Sequence, residues 1–366
     1  TAGGRRNGRL SGIHANDLGA RALDAVVARA GIDPSVIEDV IFGCCDTIGS
    51  QAGDIARTCW LAAGLPDHVP GVTIDRQCGS SQQSVHFAAQ AVMSGTSDLI
   101  VAGGVQNMSQ IPISSAMTCA ESLGFEDPFS GSTGWVERYG TQEVSQFRGA
   151  ELIAEKWDLS REEMESFALA SHERAVAAID EGRFDAEIVP VAGVSHDEGP
   201  RRGVSLERMA QLPTLVEGGR LTAALASQIS DGAAALLIAS ERAVEEHDLT
   251  PRARIHHVSA RGDDPIYMLT GPIAATAFSY FPYNRHSPHH ATAWAGLVTV
   301  REDMRKRGVG LRVNALALKA AVTQLGAGRF ETRPGKGLPA WLDVLIAFQH
   351  ILRAVSNTCL MHVIHV

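Results

Sequence analysis

No stretch of the 366-residue sequence approaches the roughly 18 to 20 uncharged apolar residues that a membrane-spanning helix needs. Residues 1–8 are basic and glycine-rich with no apolar segment behind them, so they do not read as a secretory leader. Both absences point away from a membrane and toward the cytosol. The six cysteines (44, 45, 59, 78, 119 and 359) lack metal-ligand spacing, and a bridge between neighbours 44 and 45 would be strained. No zinc site, other metal or disulfide framework is therefore expected, and a thiol is left over as a candidate nucleophile. The basic residues do not cluster, which argues against a nucleic-acid partner.

What is present is the composition of a globular α/β protein, 45% hydrophobic and 20% charged, in a chain long enough for two domains. Residues 16–30 read as an amphipathic helix with Leu18, Ala22, Leu23, Val26 and Val27 on one stripe and Gly31 as the stop. Residues 40–42, 72–74 and 99–102 are short apolar runs of the kind buried on both faces of a parallel sheet. Between about 111 and 219 the texture turns to Ser, Gly, Glu and Arg, with a helical stretch at 160–181, as in an inserted subdomain. Strand character resumes at 236–239 and 254–259. Charge divides the chain unevenly. Through Ala277 there are 21 Lys and Arg against 37 Asp and Glu, and afterwards 11 against 4. The last 89 residues also hold 6 of the 14 histidines and 8 of the 20 aromatics.

The chemistry concentrates in residues 72–95, VTIDRQCGSSQQSVHFAAQAVMSG. A strand ends near Asp75, Cys78 follows in a Gly/Ser turn, and Val85, Ala88, Ala89 and Val92 then recur at helical spacing. That order sets Cys78 at or just before a helix N-terminus, where backbone N–H groups and the helix dipole stabilise a thiolate. Gly79 leaves room for a substrate, and the Cys78 N–H is placed to donate to a developing oxyanion.

The segment DRQCGSSQQ, followed by AGGVQNMSQIP at 102–112, resembles the nucleophile region of thiolases, the acetyl-CoA acetyltransferases and 3-ketoacyl-CoA thiolases. NGRLSGIHANDLGA at 7–20, EEMESFALASHERA at 162–175, GRFDAEIVPV at 182–191, LTAALASQISDGAAA at 221–235 and RGDDPIYMLTGPI at 261–273 resemble further thiolase segments, in thiolase order. The likeness covers about residues 1–277. It implies a thiolase fold, layered αβαβα in two related halves, with a nucleophile domain at 1–107 and 228–250. A loop domain at 108–227 and a C-terminal domain at 251–366, atypical after 277, complete that division. It implies Cys78 as the acylated cysteine, Ala223 and Ser227 at the pantetheine site, and Met108 in a loop near the nucleophile. No permanently bound cofactor is implied, since a coenzyme A thioester is the substrate. The implied partners are acyl-CoA, coenzyme A and further copies of the chain, in a homodimer or homotetramer.

The likeness stops soon after Ala277. The NEAF, GHP and C-x-G segments that in thiolases supply an Asn, an activating His and an acid/base Cys do not occur in residues 278–366. Cys359 is followed by Leu360 and Met361 rather than bringing a glycine two residues on, and His286, His289 and His290 lie in no family pattern. Residues 341–355 carry a helix-compatible stripe. A change of reading frame near codon 277 is the expected cause of so abrupt a join, and the opening at Thr1 resembles the middle of a thiolase opening. Two functions are therefore expected in competition: acyl transfer to or from coenzyme A through a Cys78 thioester, or a catalytically incompetent relative that binds coenzyme A esters or a partner subunit.

Overall fold

The computed structural model describes residues 1–255, 258–260, 262–271, 280–281, 294–295 and 363–365. These fall into two compact units. Thr1–Gln142, Asp158–Ile255 and residues 363–365 belong to the first, and Glu143–Trp157 with the described residues between 258 and 295 belong to the second.

In the first unit the chain runs β1 (Gly4–Arg5), α1 (Ala15–Ala30), β2 (Asp39–Gly43), α2 (Ile55–Ala62), β3 (Gly71–Ile74), α3 (Ser80–Met93) and β4 (Leu99–Asn107). The short helices α4 (Ser115–Thr118) and α5 (Thr133–Tyr139) follow. In the second unit lies α6 (Gln146–Lys156), where the Lys156 ammonium stands 4.5 Å from the centre of the Tyr267 ring. The first unit resumes with α7 (Arg161–Asp180), α8 (Leu206–Ala210), β5 (Ser230–Ala239), α9 (Glu241–Glu246) and β6 (Ala253–Arg254). Two antiparallel strands of the second unit, β7 (Tyr280–Phe281) and β8 (Trp294–Ala295), and β9 (Val363–His365) of the first are the remaining described elements.

One seven-stranded sheet organises the first unit in the order β3-β2-β4-β5-β9-β6, with β1 added beside β5. Alternation along the strands divides its core. Val40 and Phe42 of β2, Val101 of β4 and Leu237 of β5 pack with Leu18, Leu23 and Trp60 of α1 and α2. Ile41, Ile100 and Ile238, one residue along each strand, pack with Ala88 and Val92 of α3 on the other face. Apolar runs without polar alternation follow from burial on both sides. The stripe read from residues 16–30 is buried, and Gly31 closes α1 in the left-handed region at φ 68°, its N–H returning to the Val27 and Ala28 carbonyls. Helix α7 begins with a capping box in which Ser160 and Glu163 each satisfy the other's backbone N–H.

Three expectations need correction. The strands are not all parallel: β2, β3 and β4 are, but β5 pairs antiparallel with β4, Asn107 opposite Asp231 and Leu99 opposite Ala239. The chain leaves the sheet where β4 ends and returns at that same edge, so the next strand runs back. Strand β4 also continues five residues beyond the expected 99–102, through Gly103 and Gly104 to Asn107. A glycine pair that reads as a stop is here a site of close approach, because a Cβ on Gly103 would strike the Ala234 carbonyl and one on Gly104 the Ser81 hydroxyl. The expected strand at 254–259 appears as the pair Ala253–Arg254, with 256–257 outside the described residues.

Gly43, at the end of β2, is met by backbone of the α3 head, since a Cβ there would overlap the Ser80 carbonyl carbon and the Ser81 nitrogen. Gly43→Ala is expected to cost about 1–3 kcal/mol, read as a lowered urea midpoint, through overpacking. Gly12→Ala, where a Cβ meets nothing within 4 Å, should stay within about 0.5 kcal/mol of the parent. Equal midpoints for the two variants would mean that the backbone contact at Gly43 yields without cost.

Candidate active site

The C-terminal ends of β2, β3 and β4 and the beginning of antiparallel β5 share one edge of the sheet, and the crossover from β3 to α3 sits there. β3 ends at Ile74, the Asp75 carboxylate accepts the Gln77 N–H at 2.6 Å, and Gln77 takes a left-handed conformation at φ 49°. Few residues other than glycine adopt that region, and doing so costs on the order of 1–3 kcal/mol. Cys78 comes next, exposed to solvent, and Gly79 is the cap of α3. The turn is closed by Gly79 N–H to Arg76 O at 3.1 Å and Ser80 N–H to Gln77 O at 3.0 Å. The Ser80 hydroxyl accepts the Arg76 N–H at 2.8 Å and donates to Gln77 O at 2.5 Å. Cys78 thus stands immediately before the first turn of a 14-residue helix, as the residue order predicts. The first turn of α3 lies flat on the sheet, with Ser80 and Ser84 buried and the Ser84 hydroxyl donating to Gly103 O at 2.7 Å.

The other described cysteines have different surroundings. Burial pushes the Cys44 thiol far up from its ordinary 9.0, and burial pushes those of Cys45 and Cys59 up to about 12. All three are protonated at neutral pH. Cys119 is exposed, and none of the five described cysteines is joined in a disulfide.

Neighbouring loops are fastened by buried polar groups. Asn107 is buried; its N–H donates to Gln51 Oε1 at 2.8 Å, and its Nδ2 donates to Ile13 O at 2.9 Å. The buried Asp231 carboxylate takes the Ser109 N–H at 2.9 Å and the Ser109 hydroxyl at 2.7 Å, and its desolvation pushes the carboxyl above the usual range. Asp46 accepts from Ser114 N–H at 3.1 Å and Ala116 N–H at 2.8 Å. Met108 packs on the start of β5, its sulfur accepting from Ser230 N–H at 3.5 Å. Ala223 and Ser227 are exposed, on the turn and extended run that lead into β5. The edge therefore gathers Cys78, Met108 and the head of β5. Cys359, His286, His289 and His290 lie outside the described residues, as does the helix-compatible stretch 341–355. Among the described residues, no group of three or more His, Cys, Asp or Glu is placed to hold a metal ion, and no helix is long and apolar enough to cross a membrane. Sequence reasoning missed Cys45, Ser80 and Gln106, which surround the Cys78 turn without matching any pattern that marks them.

A mixed α/β sheet with an accessible cysteine at the head of a crossover helix is a scaffold for covalent catalysis. The model of the thiolase N-terminal domain matches residues 1–242, and the chain belongs to the thiolase family, whose members are acyl-CoA acyltransferases. It is 65% identical over 283 residues to a steroid 3-ketoacyl-CoA thiolase, FadA6, of Mycobacterium tuberculosis, covering 76% of this chain and 69% of that protein. It is 38% identical over 291 residues to a beta-ketoadipyl-CoA thiolase of Escherichia coli, covering 75% and 72%. The crystal structure of the Bacillus anthracis acetyl-CoA acetyltransferase is similar with a TM-score of 0.59 and 31% identity, over 73% of this chain and 70% of that one. The thiolase fold expected from the resemblance is thereby established.

Two outcomes follow from the thiols. Iodoacetamide at neutral pH is expected to modify Cys78 in folded protein well before Cys44, Cys45 or Cys59, as read by peptide mass spectrometry; earlier loss of any of those three would contradict the described burial. Because unfolding releases thiols with pKa near 9 that the fold holds near 12, their contribution to stability is complete below pH 9 and is lost as pH rises toward 12. The unfolding free energy should fall across that window, by at most about 1.4 kcal/mol per pH unit per thiol, and less steeply in Cys59→Ala.

Proposed function

We propose that Cys78 accepts the acyl group in this chain: its sulfur attacks the thioester carbonyl of an acyl-CoA, coenzyme A leaves as a thiolate that takes up a proton, and an acyl-Cys78 thioester remains. The observation that carries the reading is the exposed thiol held before α3 by the left-handed Gln77, in a chain of the thiolase family. A helix N-terminus favours the negative charge that develops on the attacked carbonyl oxygen. Ala223 and Ser227 serve as the pantetheine-facing wall, which their exposure just before β5 supports. In this reading residues 1–107 with 228–250 form the nucleophile domain and 108–227 the loop domain, and the chain works as a homodimer or homotetramer in the cytosol. The physiological donor is a 3-ketoacyl-CoA carrying a large ring system, for which the 65% identity to the mycobacterial steroid thiolase speaks. The direction is then degradative, as in β-oxidation. With that donor the Cys78 sulfur attacks the 3-keto carbon, the C2–C3 bond breaks, acetyl-CoA leaves as an enolate that takes up a proton, and coenzyme A then takes the shortened acyl group from Cys78. Attack at a thioester carbonyl with loss of coenzyme A is the step with acetyl-CoA.

A second reading rests on one observation. Residues 278–366 contain neither the GHP nor the C-x-G segment that the family resemblance leads one to expect, and each missing acid/base group costs about 100- to 10,000-fold. In this second reading the chain is a catalytically incompetent thiolase relative that binds coenzyme A esters or a partner subunit. Slow single-turnover acetylation of Cys78 by acetyl-CoA, with no measurable thiolysis of acetoacetyl-CoA, is then the expected result. Absence of acetyl from the Cys78 peptide would remove Cys78 from the role. Thiolysis at about 1 to 1,000 per second that vanished in Cys78→Ala would establish a full enzyme instead, with Cys359 and His290 the first residues to replace. If Ser227 lines the pantetheine tunnel, coenzyme A should raise the melting temperature and Ser227→Trp should abolish the rise; an unchanged rise in the variant would place coenzyme A elsewhere.

A further inference from the structure

One carbonyl oxygen at the head of α3 is heavily engaged. The Gln77 oxygen accepts from the Ser80 N–H at 3.0 Å, the Ser80 hydroxyl at 2.5 Å and the Cys45 thiol at 2.9 Å. A carbonyl oxygen has two lone pairs, so three donors saturate it. They arrive from two directions. Ser80 belongs to α3, and its hydroxyl also takes the Arg76 N–H at 2.8 Å, spanning the left-handed residue from both sides. Cys45 belongs to the loop after β2, and its own N–H is held at 3.0 Å by the Gln106 side-chain oxygen on β4. The Gln77 peptide is thereby tied to two strands and a helix at once.

A peptide bond is planar and trans, so fixing the Gln77 carbonyl fixes the Cys78 N–H on the opposite side of the same plane. We propose that Cys45 and Ser80 are positioning residues for acyl transfer: by holding the Gln77 carbonyl they aim the Cys78 N–H at the oxygen that becomes negative when the Cys78 sulfur attacks. The inference rests on the reading of Cys78 as acyl acceptor. In that step the sulfur–carbon bond forms, the carbonyl π pair moves onto oxygen, the N–H stabilises that charge, and the leaving group departs as the pair returns. Cys45 is suited to the role because it stays a thiol, and so a donor, at neutral pH. Its neighbour Cys44 turns the other way, donating toward Cys45 O at 3.2 Å and the Gln106 side-chain oxygen at 3.5 Å.

Two reactions at the same sulfur separate positioning from mere support. Acylation by p-nitrophenyl acetate passes through an oxyanion, whereas iodoacetamide is attacked at a saturated carbon and iodide leaves with no oxyanion formed. Both are measured at neutral pH on the Cys78 peptide by mass spectrometry, in the parent, Cys45→Ala, Cys45→Ser and Ser80→Ala, with urea midpoints recorded for each. Acylation is expected to fall about 10-fold or more in the two alanine variants, part of the 100- to 1,000-fold that loss of an oxyanion donor costs. Alkylation should stay near the parental rate, and Cys45→Ser, which keeps a donor, should recover acylation. Parallel loss of both reactions would reduce Cys45 and Ser80 to structural supports, and unchanged acylation in both alanine variants would equally overturn the proposal. Should one alanine variant fail to fold, the other and Cys45→Ser still decide the matter. Because p-nitrophenolate leaves without assistance, the comparison runs even where acetyl-CoA leaves Cys78 unmodified, an outcome that would count against the proposed function and not against this inference.

Discussion

Backbone against backbone is the constraint on which the site depends. The first turn of α3 approaches β2 and β4 so closely that Gly43 and Gly104 have no room for a Cβ, while Gly103 beside them admits the carbonyl of Ala234 on β5. Gly43 at the end of β2 and Gly104 inside β4 thus let one helix head sink onto the sheet, with Gly103 making room for β5. Ser80 and Ser84 are buried there although polar, which is tolerable because each hydroxyl finds backbone partners at 2.5–2.8 Å. Were the helix lifted by the width of a methyl group, the Ser84 bond to Gly103 would break and the crossover that carries Cys78 would lose its floor.

The strain at Gln77 becomes intelligible against that floor. The chain must rise from β3 and enter α3 within the few residues from Asp75 to Gly79, and a left-handed residue makes the reversal possible. Glutamine pays a steric cost there that glycine would not. The cost is offset by the bonds around it: Asp75 holds its N–H, while Ser80 and Cys45 hold its carbonyl. A strained residue that many contacts hold in place is rigid, and rigidity is what a nucleophile needs if its N–H and sulfur are to meet one carbonyl group together.

Much of this was legible in the residues. The period of 16–30 and the glycine after it define α1, and the uninterrupted apolar runs announce strands buried on both faces. Cys78 is marked by its place between a strand and an apolar helical stripe. The direction of β5 was not legible, because nothing local in residues 230–239 records at which edge a long excursion returns. Gly103 and Gly104 were ambiguous for a related reason: a glycine that ends a strand and one that admits a neighbour's backbone look the same until the neighbour is known. Gln77 was invisible, since glutamine carries no mark of a positive φ, and Cys45 was noted only as a neighbour too close to Cys44 to bridge without strain. Ala223 and Ser227 were suggested only by family resemblance, and the structure adds their exposure and their position before β5.

The reaction proposed for this chain divides into two halves with different requirements. What residues 71–107 build is local: a helix end, a strained turn and an oriented N–H, all held by bonds among β2, β3, β4 and α3. In the function proposed above, those features bear on the first half of the reaction, in which sulfur attacks and an oxyanion forms. Proton transfer to the departing group and activation of the incoming thiol require an acid and a base of suitable pKa within hydrogen-bond reach. The described thiols near the turn do not meet that requirement, because burial holds Cys44 and Cys45 protonated far above neutrality. Asp231 is committed to Ser109, and Asp46 to the backbone of residues 114 and 116. A fold can therefore conserve the means of forming an acyl-enzyme independently of the means of turning it over. In this chain the thiolase likeness and the acidic charge balance end together, near Ala277.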